Sequence, residues 1–572
     1  MVLPATVSLF GGDRAPEVTS LLKSGLSAIG TRIVAGDGPP ASTPIRLVNT
    51  TRANHLGPEA YHLVIDANGI VINATSGAGF FYGAQSLLQI VTSDGIRPAT
   101  IPFVDIVDSP EYRWRGLHLD VSRHFFSKDV IEQFIDVAAR FKLNVFHWHL
   151  TDDQGWRLEV PPYPNLTLIG GCRSATQVGG FASHKNDGIR FCAWYTEDDV
   201  REVVAFAKAR HVMIVPEIEG PGHSVEAMAA YPELACSPAE YEPLVYWGST
   251  SYSLCPSDAT FAFYDAVFRE LSELFPGPYV HIGGDEVPYT SWRRNRTVLA
   301  LMRRESLNSY ADVQTYFTRR IEGIARKYHR RIVGWNDIEK AGVSNDAVIM
   351  AWTDREAGVA AARHGNDVVM TPGPPLYFDA YQSHEDGEPE AIGGLTTLHD
   401  VYDFDPSAGF DDPATHQRLL GAQANLWTEY IPTREHLWYM AYPRALALSE
   451  LCWTPRSRMS WSDFERRLGP ALTRLEPLGV TFRVPPVIFE STENGTALHL
   501  ADVISNAQIW YSLNGGALNR TWFRYRGPIP IGSQTQVFAF ATVTGYRASV
   551  SAHNSLKNLS KVSHDDPVGR ST

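Results

Sequence analysis

The chain has 572 residues, too many for one ordinary domain and enough for two to four, each with a core of its own. A formal net charge of −13 with no evident basic face excludes nucleic acid or an anionic membrane surface as partner, since both demand a positive footprint. No run reaches the roughly eighteen apolar residues of a membrane span, and the opening MVLPATVSLFGG lacks the basic start and long apolar core of a secretory leader, so a cytoplasmic protein or a trimmed mature chain is expected.

Residues 1–110 read as a small α/β unit. AYHLVIDANGIVINA alternates like a hairpin turning at Asn68-Gly69, and GAQSLLQIV has a helical pattern. FVDIVDSPEYRW marks its boundary.

From 111 to 480 short β-rich runs alternate with helical ones. The candidate strands are RGLHLDV, NVFHWHL, VMIVPEIE, YVHIGGDE, RIVGWND, AVIMAW, DVVMTP and AQANLW. Amphipathic stretches such as KDVIEQFIDVAARF, EDDVREVVAFAKAR and ATFAFYDAVFRELSEL fall between them. Eight strands with helical crossovers predict a (β/α)8 TIM barrel. A doubly wound open sheet is the alternative, but no GxGxxG follows an early strand. Residues 481–556, with IWYSLNGG and TQVFAFATVTG, read as a small C-terminal β-sandwich-like domain, and 557–572 as a disordered tail.

Polar residues gather at the strand ends: Asp120, His149 with Asp152 and Asp153, Glu217 with Glu219, Asp285 with Glu286, and Trp427 with Glu429. In a barrel these ends meet at one mouth, where such enzymes keep their chemistry. Adjacent Asp285 and Glu286 point to opposite sides of a strand, so they should have different tasks rather than flank one bond together. A solvated acidic turn is the bland alternative, although the glycines before the pair suit close approach of backbone or ligand. HWHLTDDQGW admits a rival reading, in which His147, His149 and Asp152 or Asp153 hold a divalent metal for hydrolysis. Trp335, Trp352 and Trp427, each unremarkable alone, together suit a wall for a sugar ring.

Cysteines at 172, 192, 236, 255 and 452 include two pairs of similar span, neither with zinc-site spacing. Spacing leaves open whether Cys172/Cys192 and Cys236/Cys255 are bridged or are plain thiols. Bridges would indicate an oxidising compartment.

RGLHLDVSRHFF, HWHLTDDQGW, PEIEGPGH, HIGGDE, GWND and NLWTE followed by ALSELCWTP resemble, in that order, the glycoside hydrolase family 20 β-N-acetylhexosaminidases. The preceding α/β unit and the tail are similar to the flanking domains of chitobiase-like members. The resemblance implies an exo-acting enzyme that removes terminal β-linked GlcNAc, and also GalNAc, from chito-oligosaccharides or glycans. It implies retention of configuration, with the substrate's 2-acetamido oxygen as nucleophile and an oxazolinium intermediate, and no metal or organic cofactor.

By matching motif, Glu286 would be the general acid and base, and Asp285 would orient the acetamido group. Arg123 and Glu429 would hold sugar hydroxyls, and Trp335, Trp352 and Trp427 would enclose the acetamido methyl and ring. Tyr377 would bond the acetamido oxygen and Asp379 a hydroxyl, while Asp152 and His223 would stand behind the acid. A Trp-lined pocket and the neighbouring Asp285 should raise the Glu286 pKa. The stretch SHEDGEPEAIGGLTTLHDVYDFDP lacks a tryptophan that some relatives carry, which leaves the leaving-group side open. The resemblance also implies that Cys172/Cys192 bridges a mouth loop, and hence a secreted or periplasmic setting. A lacto-N-biosidase and an inactive carbohydrate-binding barrel are the remaining alternatives.

Overall fold

Eight parallel strands pair in sequence order and close on themselves, the first against the eighth, in a computed structural model. They are β1 (Trp114–Asp120), β2 (Val145–His149), β3 (Met213–Glu217), β4 (Tyr279–His281), β5 (Arg331–Trp335), β6 (Val348–Ala351), β7 (Asp367–Met370) and β8 (Leu419–Ala424). Each falls within or overlaps one of the eight expected runs, and the (β/α)8 barrel stands. The structure describes residues 1–555 apart from 37–42, 51–56, 92–98, 238, 249, 341, 385–387, 486, 492–496, 503, 505–506, 514–521, 531–535 and 544–551. The expected disordered tail lies outside the described residues.

The helices Lys128–Arg140, Glu197–Lys208, Asp258–Leu274, Tyr310–Lys327 and Arg355–His364 lie between strands and bury one face each. In the first, Ile131, Phe134, Ile135 and Ala138 recur at helical spacing and are buried. Reciprocal caps start two of the others, Thr196 with Asp199 and Ser309 with Asp312. Between β5 and β6 the named helix is only Asp337–Lys340.

The barrel interior is divided by height. Toward the N-terminal ends Trp114, Val145, Val215, Val333, Val348, Val369 and Leu420 pack together. Above them stand His118, His147, His149, Glu217, His281 and Gln423, all buried.

The N-terminal unit is a six-stranded mixed sheet, ordered Arg32–Ala35, Thr6–Phe10, Pro44–Asn49, Gly69–Ala74, Tyr61–Asp66 and Val104–Asp108. Helices Pro16–Ala28 and Gly77–Ile90 pack on it and on each other. The expected hairpin is present, with Asp66 opposite Gly69. The second helix begins earlier than the pattern GAQSLLQIV shows, because Ser76 caps it by accepting from the Gly79 N–H. Its glycine-rich first turns conceal it in the sequence; a Cβ on Gly79 would lie 2.4 Å from the Ala60 carbonyl oxygen. Arg115 on β1 ties this unit to the barrel through Glu59 at 2.7 Å.

The C-terminal region holds two small antiparallel sheets, one of three strands and one of four. Leu498, Leu500 and Ile529 from the first and Val537, Ala539 and Ala541 from the second are buried in one core.

Candidate active site

β4 runs into Gly283 and Gly284, both with positive φ, followed by Asp285 and then Glu286 at φ 47°. The glycines are required by what crowds them. A Cβ on Gly283 would sit 1.7 Å from Glu219 Oε2, and one on Gly284 would sit 2.3 Å from Ile338 Cγ2. Glu286 and His223 (φ 47°) share the left-handed backbone that costs a non-glycine residue about 1–3 kcal/mol. That strain turns the two adjacent carboxylates to different surroundings, which rules out the bland acidic turn.

The Asp285 side chain is 16% exposed and that of Glu286 53%. His223 Nε2 lies between them, 3.8 Å from Asp285 Oδ2 and 3.6 Å from Glu286 Oε2. Burial pushes the Asp285 carboxyl up to about 7, against the opposing pull of His223. Glu286 goes the other way. His223 holds its carboxyl below the usual range despite partial burial, so the expected upward shift is corrected: the carboxyl stands at the open rim beside a cation.

Behind His223 its Nδ1 is 3.3 Å from Asp152 Oδ1, and Asp152 Oδ2 is 2.8 Å from Arg123 Nη2. Asp152 and His223 thus stand together beside Glu286, and Arg123, expected at the sugar hydroxyls, joins them. The Arg123 guanidinium also reaches Asp120 at 3.2 Å, donates from Nε to Gln154 Oε1 at 2.9 Å, and stands 3.9 Å from Glu429 Oε1. It lies over the Trp427 ring at 5.3 Å.

Asp120, named among the strand-end residues but given no role, is a staple. Its carboxylate accepts the Ser122 N–H at 2.8 Å, the Arg123 N–H at 3.2 Å and both the N–H and hydroxyl of Thr428 at 3.1 Å. The end of β1 is thereby fixed to the segment after β8 that carries Trp427 and Glu429.

Trp427, Trp352 and Tyr377 are partly exposed, whereas Trp335 is buried deeper and donates its indole N–H to Glu217 Oε1 at 3.0 Å. Trp335 and Trp427 have ring centroids 5.8 Å apart, and the Trp352 and Tyr377 rings are stacked at 6.4 Å. Trp352 is oriented by Asp337, which accepts its indole N–H at 2.9 Å. The Tyr377–Asp379 segment is held from below by Arg444, whose guanidinium donates to the carbonyls of Phe378, Ala380 and Thr396. That clamp is a buried arginine at the start of the helix Arg444–Trp453 that carries most of ALSELCWTP.

One property unites the inward oxygens of the site. Both Asp379 carboxylate oxygens, Glu429 Oε2 and Asp285 Oδ1 are buried without a hydrogen-bond donor. Burial and the facing Glu429 drive the Asp379 carboxyl well above the ordinary range. Buried acceptors left unpaired are expensive, so the cavity is built to receive a ligand rich in O–H and N–H donors.

The metal alternative meets a difficulty in the proton positions. Trp114 donates to Gln423 Oε1 at 3.3 Å, which fixes that amide so that its nitrogen faces His147 Nδ1 at 3.0 Å. The ring proton of His147 is therefore on Nε2, 3.0 Å from Glu217. His149 faces a carboxylate at each nitrogen, Glu217 at Nδ1 and Asp152 at Nε2, and so carries a proton on both. With those protons in place neither ring presents a lone pair to the carboxylates, so an ion held by His149 with Asp152 and Glu219, or by His147 with Glu217 and His281, would have to displace them.

Cys172 is bonded to Cys192 and Cys236 to Cys255, which settles what spacing left open, and Cys452 is a buried thiol. The first bridge joins paired strands, Cys172 opposite Cys192, and the adjacent Arg173 donates to the Arg123 carbonyl oxygen.

The profile described as "Glycosyl hydrolase family 20, catalytic domain" matches residues 112–456, and "Glycosyl hydrolase family 20, domain 2" matches 1–109. The chain is 40% identical over 491 residues to a "Beta-hexosaminidase" of Porphyromonas gingivalis, covering 84% of this chain and 62% of that one. It thus spans less than two thirds of that relative's length. A "Beta-N-acetylhexosaminidase" of Cellulomonas fimi is 33% identical, with 79% and 85% covered. Among solved structures, a GH20 exo β-N-acetylglucosaminidase from Vibrio harveyi in complex with N-acetylglucosamine matches with TM-score 0.75 and 34% identity, over 84% of this chain and 75% of that one. The profile covers most of the barrel and the fold agrees, so the chain belongs to glycosyl hydrolase family 20.

Proposed function

We propose that this protein is an exo-β-N-acetylhexosaminidase that removes terminal β-linked GlcNAc, and also GalNAc, from chito-oligosaccharides or glycoconjugates with retention of configuration. The observation that carries the reading is the set of donorless buried acceptors, Asp379, Glu429 and Asp285, beside the partly exposed Trp352, Tyr377 and Trp427. Sugar hydroxyls and an acetamido N–H supply the missing donors, and the aromatic rings cover the apolar face of a pyranose.

Within this reading the acetamido oxygen attacks the anomeric carbon and forms an oxazolinium ion. Glu286 gives its proton to the leaving oxygen and then takes one from water. Asp285 accepts the acetamido N–H and stabilises the positive charge that develops there. Position supports that division, since the more buried Asp285 is placed to act on a fixed group and the rim-standing Glu286 to reach both leaving group and water, while the proton of the free site favours Asp285 and has to pass to Glu286 before the reaction. Arg123 and Glu429 hold hydroxyls, Tyr377 the acetamido oxygen, and Asp152 and His223 support Glu286. No cofactor enters the scheme. Lacto-N-biosidase activity and an inactive binding barrel are the other outcomes of the test below. The two disulfides support a secreted or periplasmic setting, and the domain limits 1–110, 111–480 and 481–556 are part of the same proposal.

Release of 4-nitrophenol from its β-GlcNAc and β-glucoside derivatives tests the scheme. Cleavage of the acetamido sugar alone is expected. Equal cleavage of both would show that the acetamido group is not the nucleophile, and cleavage of neither would send the search to lacto-N-biosides and then to simple binding.

A further inference from the structure

The support behind Glu286 continues past Asp152 into the barrel. Asp152 Oδ2 lies 3.1 Å from His149 Nε2, and His149 Nδ1 makes a short hydrogen bond to Glu217 Oε2. Carboxylate and imidazole therefore alternate from the barrel interior to its mouth: Glu217, His149, Asp152, His223, Glu286. All but the last are buried.

We infer that His149 and Glu217 are positioning residues for the acid/base: Glu217 holds the His149 ring between two carboxylates, and the ring keeps Asp152 aimed at His223, which faces Glu286. The inference rests on the assignment of Glu286 as proton donor.

The inner end is fixed from all sides. Besides His149, Glu217 has His281 Nδ1 at 2.7 Å, His147 Nε2 at 3.0 Å, the Trp335 indole N–H at 3.0 Å and His118 Nε2 at 3.9 Å. Such a carboxylate stays ionised well below the usual range even though burial opposes it. His118 and His147 are kept neutral by burial, His147 down to about 4. His149 differs from them because it bridges two carboxylates, and Glu217 and Asp152 hold it protonated against the cost of burial.

The middle of the chain also has Arg123 at 2.8 Å from Asp152, and Asp153 at 3.8 Å from His223. Asp120 bears on His149, and Glu219, itself kept protonated by burial and Asp285, faces the His223 end. Glu226 lies behind Asp153, and Glu429 beyond Arg123. Charges alternate, so with Glu286 protonated the five groups sum to zero, and the chain gains one negative charge only when Glu286 has given its proton away.

This arrangement makes a prediction of sign that a simple field does not. If Glu217 acted directly on Asp285 through space, Glu217→Gln would remove an anion and lower the carboxyl pKa values at the mouth. If it acts through His149, the same change lets His149 lose its proton, and Asp152 and the mouth carboxyls lose the field of a nearby cation. Mouth carboxyls then hold their protons to higher pH.

The experiment is the pH profile of kcat/KM for wild type, His149→Gln, Glu217→Gln and Glu286→Gln on the 4-nitrophenyl β-GlcNAc derivative. Both first variants are expected to shift the limbs upward by about 1 pH unit, with kcat lower by roughly threefold to tenfold and KM nearly unchanged. Limbs that stay in place while the whole profile drops, or a downward shift in Glu217→Gln, would overturn the inference. Should either variant fail to fold, selective 15N labelling of histidine in the wild-type enzyme decides. Two doubly protonated imidazoles persisting above pH 8 are expected, and none would refute the chain. Full activity of Glu286→Gln would instead strike down the proton-donor assignment itself.

Discussion

The mouth has two sides that use the same residue types for opposite ends. Both Asp379 oxygens and Glu429 Oε2 are buried and lack donors; around His223, Asp152, one Asp285 oxygen and Glu286 stand within 4 Å of its ring in an ordered chain. The first arrangement is unfavourable until a ligand arrives, and so binds. The second is already compensated, and so can change its protonation at little cost. Environment rather than residue identity assigns the task.

The contrast is broken most severely at Glu286. Glu286→Gln is expected to lower kcat about 10²- to 10⁴-fold with KM little altered, as measured by steady-state kinetics, because only proton transfer is lost. Asp379→Asn and Glu429→Gln should do the reverse, raising KM and lowering kcat/KM by roughly tenfold to a hundredfold, within the cost of about 1–3 kcal/mol for a buried polar group left unpaired. If those variants lowered kcat alone, the two sides would not be distinct.

Acidity sharpens the comparison further. On the proposed scheme the reactive form has Asp285 ionised and Glu286 protonated, a minor tautomer of the singly protonated pair, because Asp285 is raised to about 7 and Glu286 lowered; kcat/KM should therefore fall as pH rises through about 7. The effect of Asp285 on the fold has the same direction. A carboxyl with a raised folded-state pKa favours the fold at low pH, and that contribution is lost as pH rises through about 7. Asp285→Asn should therefore melt higher than wild type at pH 8, with the gain vanishing toward pH 4, as thermal melts at both pH values would show.

The smallest effect on chemistry belongs to the Cys172–Cys192 bridge. It closes a loop of about twenty residues, worth roughly 3 kcal/mol in the chain-entropy model. A Cys172→Ser, Cys192→Ser double variant should lose stability in urea titration while kcat stays within about threefold, since Arg173 still has the Arg123 carbonyl to hold.

Much of this was legible in sequence. Parallel strands buried on both faces read as short apolar runs, and each run ends where polar residues reach the mouth, which is why eight strands and the convergence of Asp152, Asp285 and Glu286 could be anticipated, whereas Arg123 and the place of His223 came only from the family's motifs. Protonation could not. The direction of the Glu286 shift depends on His223 approaching to 3.6 Å from another strand end. His118 and His281, one residue each inside apolar runs, gave no sign that they surround Glu217. Arg444 sits in a helix whose pattern is ordinary, and only its contacts with three carbonyls reveal that it holds Tyr377 and Asp379 in place.

The Asp120 staple has a consequence in time. Asp120 and Thr428 are 308 residues apart, and their bond joins the first barrel strand to the segment after the last. A contact of that sequence separation is among the slowest to form, because almost the whole chain between must be gathered first. During synthesis the domain's N-terminal strands emerge and begin to order long before Trp427 and Glu429 leave the ribosome. On the proposed function the sugar clamp is therefore complete only at closure, and a nascent or truncated barrel would have Glu286 but not yet Glu429 to hold a substrate against it.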